Sequence, residues 1–297
     1  MPGLEITAVI PAYNEQDAIA TVVKSLTEVL RRNSARFEII VVDDGSTDKT
    51  YENALAAGVV ALRHPLNRGY GRSLMTAFAK AQYDWILMID ADGSYPPEEA
   101  EKLFALAPAC DLVIGARTGD TFWGTPMQAW RRRIYLSLAS FVAGEPIPDA
   151  NSGLRLLRKS AFQRSMPFLC LGYSFTTTMT LSFIQAGRFV AYAPIRFVER
   201  TGKSKVKAVR DILRTLQIMM QMMIYYNPMK LAVTVAAGVG LGSIAVVAAA
   251  GVWGGFAAAL PAAILLGGLI LIVFFFGCVL DAIRLHFEAS KGPVSLD

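Results

Sequence analysis

Trp85-Ile86-Leu87-Met88-Ile89-Asp90-Ala91-Asp92 is the stretch whose reading decides the fold. Five apolar residues ending in two carboxylates describe a buried strand that delivers hard oxygen ligands to the carboxyl edge of a sheet. On an extended segment alternate side chains point the same way, so Asp90 and Asp92 converge if the strand persists through them. A divalent ion held by one or two carboxylates, and otherwise by water and phosphate oxygens, is how magnesium or manganese meets a nucleotide diphosphate. Alone, an Asp-x-Asp is equally the mark of a solvated turn, so the surrounding chain has to decide.

Around this stretch, short apolar runs alternate with helical patterns, which predicts an α/β fold built on a mainly parallel sheet. Strands are expected at Ile6–Ile10, Phe37–Val42, Val59–Leu62, Trp85–Ile89 and Asp111–Ile114. Helices are expected over Gln16–Arg32, Lys49–Ala57, Gly71–Gln82 and Pro97–Leu106, the last opened by Pro96-Pro97-Glu98-Glu99. The first strand runs into Pro11-Ala12-Tyr13-Asn14-Glu15 and the second into Asp43-Asp44-Gly45-Ser46-Thr47-Asp48. A single acidic strand end is often only a helix cap, as Ser46 or Asp48 would be. Three at one sheet edge point to a nucleotide site.

Of 297 residues, 54% are hydrophobic, and the excess is concentrated. From Leu231 to Leu280 there is no Asp, Glu, Lys or Arg. The run divides at Gly251-Val252-Trp253-Gly254-Gly255 into two segments, each long enough for the roughly 20 residues a spanning helix needs. The alternative, a buried hairpin, would need a far larger protein around it. Lys230, Arg284 and Lys291 flank the spans and the connecting loop is uncharged, so both termini are expected on the cytoplasmic side. No signal peptide is visible at Met1–Asn14. Cys110, Cys170 and Cys278 lack metal or disulfide spacing, which suits a reducing compartment. A net charge of +5 on such a chain favours anionic lipid or phosphate ligands over nucleic acid, for which no motif is present. Gly238, Gly240 and Gly242 permit close helix packing and are compatible with a homo-oligomer.

After Arg117 the texture changes: Trp123, Trp130 and Arg131-Arg132-Arg133 precede an apolar helix at Ile134–Ala143. From Val206 to Tyr226, Val209, Ile212, Leu213, Leu216, Met219, Met220 and Met223 fall on one helical face, with Lys207, Arg210 and Arg214 crowding the first half. This is read as a helix in the membrane interface or a surface helix packed on the soluble domain. The expected organisation is a catalytic domain at 1–202, a juxtamembrane amphipathic helix at 203–229, two transmembrane helices at 230–287 and a tail at 288–297.

Val9-Ile10-Pro11-Ala12-Tyr13-Asn14-Glu15, Val42-Asp43-Asp44-Gly45-Ser46-Thr47-Asp48 and the later Asp-x-Asp together resemble family 2 glycosyltransferases of GT-A fold. Asn67-Arg68-Gly69-Tyr70-Gly71 is similar to that family's Asn-x-Gly-x-Gly loop, and Asn151-Ser152-Gly153-Leu154-Arg155 resembles a segment of polyprenyl-phosphate mannose and glucose synthases. The resemblance covers about residues 4–200. It implies that Pro11, Tyr13 and Glu15 line the base and ribose pocket, and that Asp43 or Asp44 hydrogen-bonds the nucleoside. It places Asp90 and Asp92 at the diphosphate, with Mg2+ or Mn2+ on Asp92 and Asp90, and Gly69 where the backbone approaches the ligand. Relatives often carry a glutamine two residues after the second aspartate; Ser94 stands there, which leaves the third metal ligand open.

The acceptor side follows from chemistry. A lipid phosphate is already largely ionised at pH 7, its second pKa being near ~6, so its attack on an anomeric carbon needs no strong base. It needs cations that hold it in line. Arg117, and Arg133 with Ser137 one helical turn later, are the candidates, the alternative being that Arg131–Arg133 only meet headgroups. Asp149 stands where relatives with sugar acceptors place a base, and with a phosphate acceptor would position the donor sugar or Arg155; the resemblance also places Asn151 and Arg155 at the nucleotide sugar. Arg200, Lys203 and Lys205 are expected to close over the diphosphate, the alternative being solvated juxtamembrane charge. His64 and His286 have no ligand partners in the sequence. The expected activity is inverting transfer of one sugar from a nucleotide sugar to a polyprenyl phosphate, because the motif set contains no protein nucleophile. The alternatives are another lipid or glycan acceptor, or a non-catalytic membrane scaffold.

Overall fold

A computed structural model describes residues 3–165, 175–198 and 208–290. In chain order the elements are β1 Glu5–Ala12, α1 Ile19–Asn33, β2 Arg36–Asp43, α2 Thr50–Ala56, β3 Val60–Arg63, α3 Tyr70–Lys80 and β4 Trp85–Met88. They continue with α4 Ala100–Leu106, β5 Leu112–Arg117, α5 Asp120–Trp123, α6 Pro126–Ala143, β6 Arg155–Arg158, α7 Lys159–Ser165, α8 Phe175–Gln185 and β7 Val190–Ile195. Two helices follow, α9 Ala208–Tyr226 and α10 Pro228–Ser290. The chain divides into two compact units at Thr215/Leu216.

The seven strands of the first unit form one sheet in the order β3-β2-β1-β4-β6-β5-β7. β1 runs parallel to β2 and β4, β2 to β3, and β5 to β7. β6 alone is reversed, antiparallel to β4 and β5. The continuous apolar strands are explained by burial on both faces. Ile6, Ala8, Ile10, Leu87 and Ile89 pack with Val22, Leu26 and Leu30 of α1 and Leu103 of α4. Val9, Ile86 and Met88 face the opposite layer, with Leu74 and Phe78 of α3 and Phe175, Met179 and Phe183 of α8. The reversal of β6 brings its beginning to the edge where β1, β2, β4, β5 and β7 end.

Several boundaries differ from expectation for identifiable reasons. β4 stops at Met88, before either aspartate. The Asp92 carboxylate accepts from the Ser94 backbone N–H at 3.0 Å and from its hydroxyl, an Asx turn that ends the extended run. Gly93 completes the turn at φ +73°. Pleat alternation therefore does not bring the two carboxylates together. β5 continues three residues past Ile114 because β7 pairs with it as far as Arg117↔Ile195. The helix expected from Ile134 begins at Pro126, where Thr125 and Gln128 form a reciprocal capping box, so all three arginines are helical. β6 and β7 lay outside the expected strands; the four-residue Arg155–Arg158 is too short for periodicity to reveal.

In the second unit, Ile218, Met219, Met222 and Met223 are buried while Leu216 and Met220 are exposed. Of the expected apolar face, Met219 and Met223 are thus buried and Leu216 and Met220 are not, the buried side being completed by Ile218 and Met222. α10 breaks at Gly255, φ 64° and ψ −162°, within the glycine-rich division noted above. The segments Pro228–Val252 and Ala259–His286 are long and apolar enough to cross a membrane, with mean hydropathies of 2.2 and 2.9. They come close at Gly277, where an added Cβ would lie 2.2 Å from that of Ala232. Gly240 only approaches Ile270, and Gly238 and Gly242 have no neighbour within 4 Å among the described residues.

Candidate active site

Parallel strands ending at one edge deliver their following loops to one place, and the reversed β6 adds its preceding loop there. The site is thus assembled from 11–15, 43–48, 64–71, 90–95, 117–135, 149–155 and 197.

Pro11 is buried at the end of β1, and Tyr13 and Glu15 are half-buried beyond it. Asn14 between them has φ 55°; its backbone N–H donates to Ser46 Oγ at 2.9 Å and its Oδ1 accepts from Thr47 N at 2.9 Å. The Glu15 N–H donates to Thr50 Oγ1 at 2.8 Å. The first two strand ends are therefore stitched together. Asp43 is fully buried, with Oδ1 accepting from Ser46 N at 3.0 Å. Its Oδ2 lies 3.1 Å from Arg63 Nε but out of line for a hydrogen bond, and is an unsatisfied acceptor. The Asp44 carboxylate is committed to the N–H groups of Arg68 and Gly69, at 2.9 and 2.7 Å, and to His64. Gly69 has φ 94°, so this glycine is a conformational requirement of the turn that starts α3.

At the acidic corner Tyr70 donates its hydroxyl to Asp90 Oδ1 at 3.0 Å. Burial, then the charge of Asp92, pushes the Asp90 carboxyl up to about 6, against the hydrogen bond from Tyr70 and the charges of Arg117 and Arg155. Two crowded hard-oxygen donors, one of them resisting ionisation, fit a divalent cation that would relieve both effects. Among the described residues no group of three or more His, Cys, Asp or Glu side chains gathers to hold a metal, so Asp90 and Asp92 are the acidic donors present. Gly153 closes the corner: a Cβ there would stand 2.3–2.6 Å from the Asp90 carboxylate. Its N–H donates to the hydroxyl of buried Tyr95 at 2.8 Å. Gly153→Ala is expected to push Asp90 off Tyr70 and lower turnover about a hundredfold, the scale of losing one preorganised electrostatic group. Circular dichroism should show an unchanged fold; full activity would show that Asp90 can move without consequence.

The basic corner is built on Asp149, 1% exposed, which takes Arg117 in a bidentate grip, Nε at 2.7 Å and Nη2 at 2.9 Å. Its Oδ1 also accepts from Asn151 N at 3.0 Å. Both oxygens of Asp149 are thus engaged, and the pairing fixes the plane of the Arg117 guanidinium. Arg117 also lies over the rings of Phe122 and Phe197, at 5.0 and 5.3 Å. Burial pulls its guanidinium down, but Tyr95, Asp149 and Asp90 hold it above the usual arginine range. The second cation here is Arg132, not Arg133. Arg132 stands 5.0 Å from the same Phe122 ring, and its Nη1 is buried with no hydrogen-bond partner among the described residues. Burial, then the repulsion of Arg117, lowers its pKa. Arg133, one residue round the helix, lies over Trp123 at 5.5 Å and is exposed, as is Ser137.

Asn151 Oδ1 accepts from Tyr135 at 3.1 Å and Thr177 at 2.6 Å. Arg155 is fully buried and spends its donors on Ser152 O, Ala150 O and Thr180 Oγ1, at 2.8, 2.7 and 2.8 Å. It braces the 150–153 loop, and its charge still acts on Asp90 from this buried position. Arg200, Lys203, Lys205 and Cys170 lie outside the described residues. Sequence reading missed Asn14, Tyr70, Tyr95, Arg132 and Tyr135. Asn14, Arg132 and Tyr70 lie inside stretches that the sequence singles out, whereas Tyr95 and Tyr135 carried no local signal.

Residues 7–165 match the model of a family described as glycosyl transferase family 2. The polyprenol monophosphomannose synthase of Mycolicibacterium smegmatis is 31% identical over 225 residues, 69% of this chain and 82% of that one. The undecaprenyl-phosphate mannosyltransferase of Micrococcus luteus is 28% identical over 221 residues, 68% and 88% of the two chains. The chain spans about half the length of two further curated relatives, 53% and 50%. Among solved structures, glucosyl-3-phosphoglycerate synthase of Mycobacterium tuberculosis with Mn2+, UDP-glucose and phosphoglyceric acid is similar in fold at a TM-score of 0.58. It is 20% identical, over 74% of this chain and 79% of that one.

Proposed function

Because the chain belongs to glycosyl transferase family 2, we propose that it transfers one sugar, with inversion, from a UDP- or GDP-linked donor to a polyprenyl phosphate at the cytoplasmic face of a membrane. The observation that carries this reading is the pairing of two opposite corners at one sheet edge. Asp90 and Asp92 supply the acidic corner, and Arg117 with Arg132 supply a cationic one whose Arg132 Nη1 has no partner among the described residues. Two relatives are named for action on polyprenyl or undecaprenyl phosphate, and a solved neighbour holds Mn2+ and UDP-glucose.

In this reading Pro11, Tyr13, Glu15 and the unsatisfied Oδ2 of Asp43 receive the nucleoside. Asp92 and Asp90 would hold Mg2+ or Mn2+, which when bound neutralises the departing nucleoside diphosphate. Arg132 and the remaining edge of Arg117 grip the acceptor phosphate, which attacks with its own charge. Asp149 sets the guanidinium plane, and Asn151 faces the donor sugar. Arg200, Lys203 and Lys205 supply further cations to the diphosphate.

The two apolar helices support attachment to a membrane, with 1–202 catalytic, 203–229 juxtamembrane, 230–287 spanning and both termini cytoplasmic. On α6, Met127, Trp130, Ile134 and Leu138 form an exposed apolar stripe flanked by exposed Arg131 and Arg133. Such a face suits a surface where a lipid acceptor arrives. To test the function, the purified protein is incubated with Mn2+, undecaprenyl phosphate and a panel of UDP- and GDP-sugars, and lipid products are weighed by mass spectrometry. A monoglycosylated lipid phosphate is expected. Sugar released only to water, or transferred to phosphoglycerate and not to lipid, would overturn the acceptor assignment.

A further inference from the structure

His64 follows β3 and opens the loop that leads into α3. Most of that loop is exposed, Leu66 by 69%, so apolar burial does little to fix it. Polar contacts hold it instead. The His64 N–H donates to Asp43 O at 2.9 Å. Its Nδ1 lies 2.7 Å from Asp44 Oδ1, and its Nε2 lies 2.9 Å from Thr76 Oγ1 in α3. In the tautomer with its proton on Nδ1, the ring donates to Asp44 and Nε2 accepts from the Thr76 hydroxyl. Asp44, 4% exposed, uses its two oxygens to receive Arg68 N and Gly69 N at 2.9 and 2.7 Å. Gly45, at φ +74°, lets the loop lie against the end of β2, since a Cβ there would be 2.7 Å from the Leu66 carbonyl carbon. The next residue after Gly69 is Tyr70, whose hydroxyl reaches Asp90 at 3.0 Å.

We propose that His64 is a positioning residue of the donor site: by orienting Asp44 it fixes the Arg68–Gly69 turn in the register that carries the Tyr70 hydroxyl to Asp90. His64 touches no ligand in this arrangement. It acts through one carboxylate and one turn, at the opposite end of a hydrogen-bonded chain from the acidic corner. The proposal rests on the nucleotide-sugar reading of that corner.

The test uses the full-length protein in detergent. Binding of UDP and GDP with Mn2+ is measured by calorimetry, and the donor KM and kcat by steady-state transfer. His64→Leu is expected to weaken nucleotide binding and raise the donor KM about tenfold, the effect of losing a hydrogen bond to a charged group, with kcat little changed. His64→Asn keeps a donor at the Nδ1 position and should recover most of the affinity, whereas His64→Gln, which reaches toward Thr76, should not. Nucleotide affinity at the wild-type level in His64→Leu overturns the proposal. Equal losses in the Asn and Gln variants, or a fall in kcat and unfolding temperature without a KM change, overturn it as well. Should His64→Leu fail to fold, the Asn–Gln contrast decides alone. If the unmodified protein binds neither UDP nor GDP, the nucleotide reading fails and this proposal with it; unmodified binding with unaffected variants removes only the role of His64.

Discussion

Asp92→Ala is expected to lower sugar transfer by at least about a thousandfold, because a bound cation contributes several kcal/mol to stabilising a departing diphosphate. The same variant should lose Mn2+ binding, seen as the full free-ion signal by electron paramagnetic resonance. Ser94→Ala makes a useful contrast. Ser94 donates both its N–H and its hydroxyl to Asp92, and the N–H bond survives the substitution. A loss of only about tenfold is expected there, the scale of one hydrogen bond to a charged group. Undiminished transfer by Asp92→Ala would remove this aspartate from the metal site. A loss in Ser94→Ala as large as that in Asp92→Ala would make the serine a ligand in its own right.

Arg117→Ala carries the largest expected cost in stability. It leaves the carboxylate of Asp149, with a side chain 2% exposed, without its cation. Breaking such a pair from one side costs about 3–5 kcal/mol, because the remaining charge stays desolvated. The double variant Arg117→Met, Asp149→Leu removes both charges at similar volume and should recover most of that stability while transferring no sugar. Unfolding midpoints in detergent beside transfer rates separate the two effects. An Arg117→Ala protein of wild-type midpoint and rate would show the pair to be dispensable, and recovery of activity in the double variant would remove Arg117 from the acceptor site.

The parallel half of the sheet was legible because its strands carry apolar runs, such as Ile39–Val42 and Trp85–Ile89, that lead into polar strand ends. Trp85–Ile89 and the two acidic ends before it are contiguous words in the chain. The corner built around Asp149 was less so. Arg132 and Arg133 are neighbours in sequence, and what selects Arg132 is the rotational phase of α6 against Phe122, a property of packing. Arg155 lies in a motif that resembles a ligand segment, yet its surroundings turn it inward onto Ser152, Ala150 and Thr180. The Asx turn of Asp92 was readable in principle, since Asp-Gly-Ser favours one, but strand periodicity extended through it gave the wrong reason for the carboxylates to meet.

The single reversed strand has a consequence for how such chains diversify. In the proposed reading the nucleoside and metal residues lie in one uninterrupted stretch, from Pro11 to Asp92, and the arginines for the acceptor phosphate lie in another, from Arg117 to Arg132. Two links between them are Gly153 pressed against Asp90 and held by Tyr95, and they ask only for a missing side chain and one phenol. Each stretch can therefore change its chemical vocabulary while the other keeps its own. A lineage could exchange what it delivers sugar to without relearning how it holds the nucleotide, provided the glycine at this seam is kept.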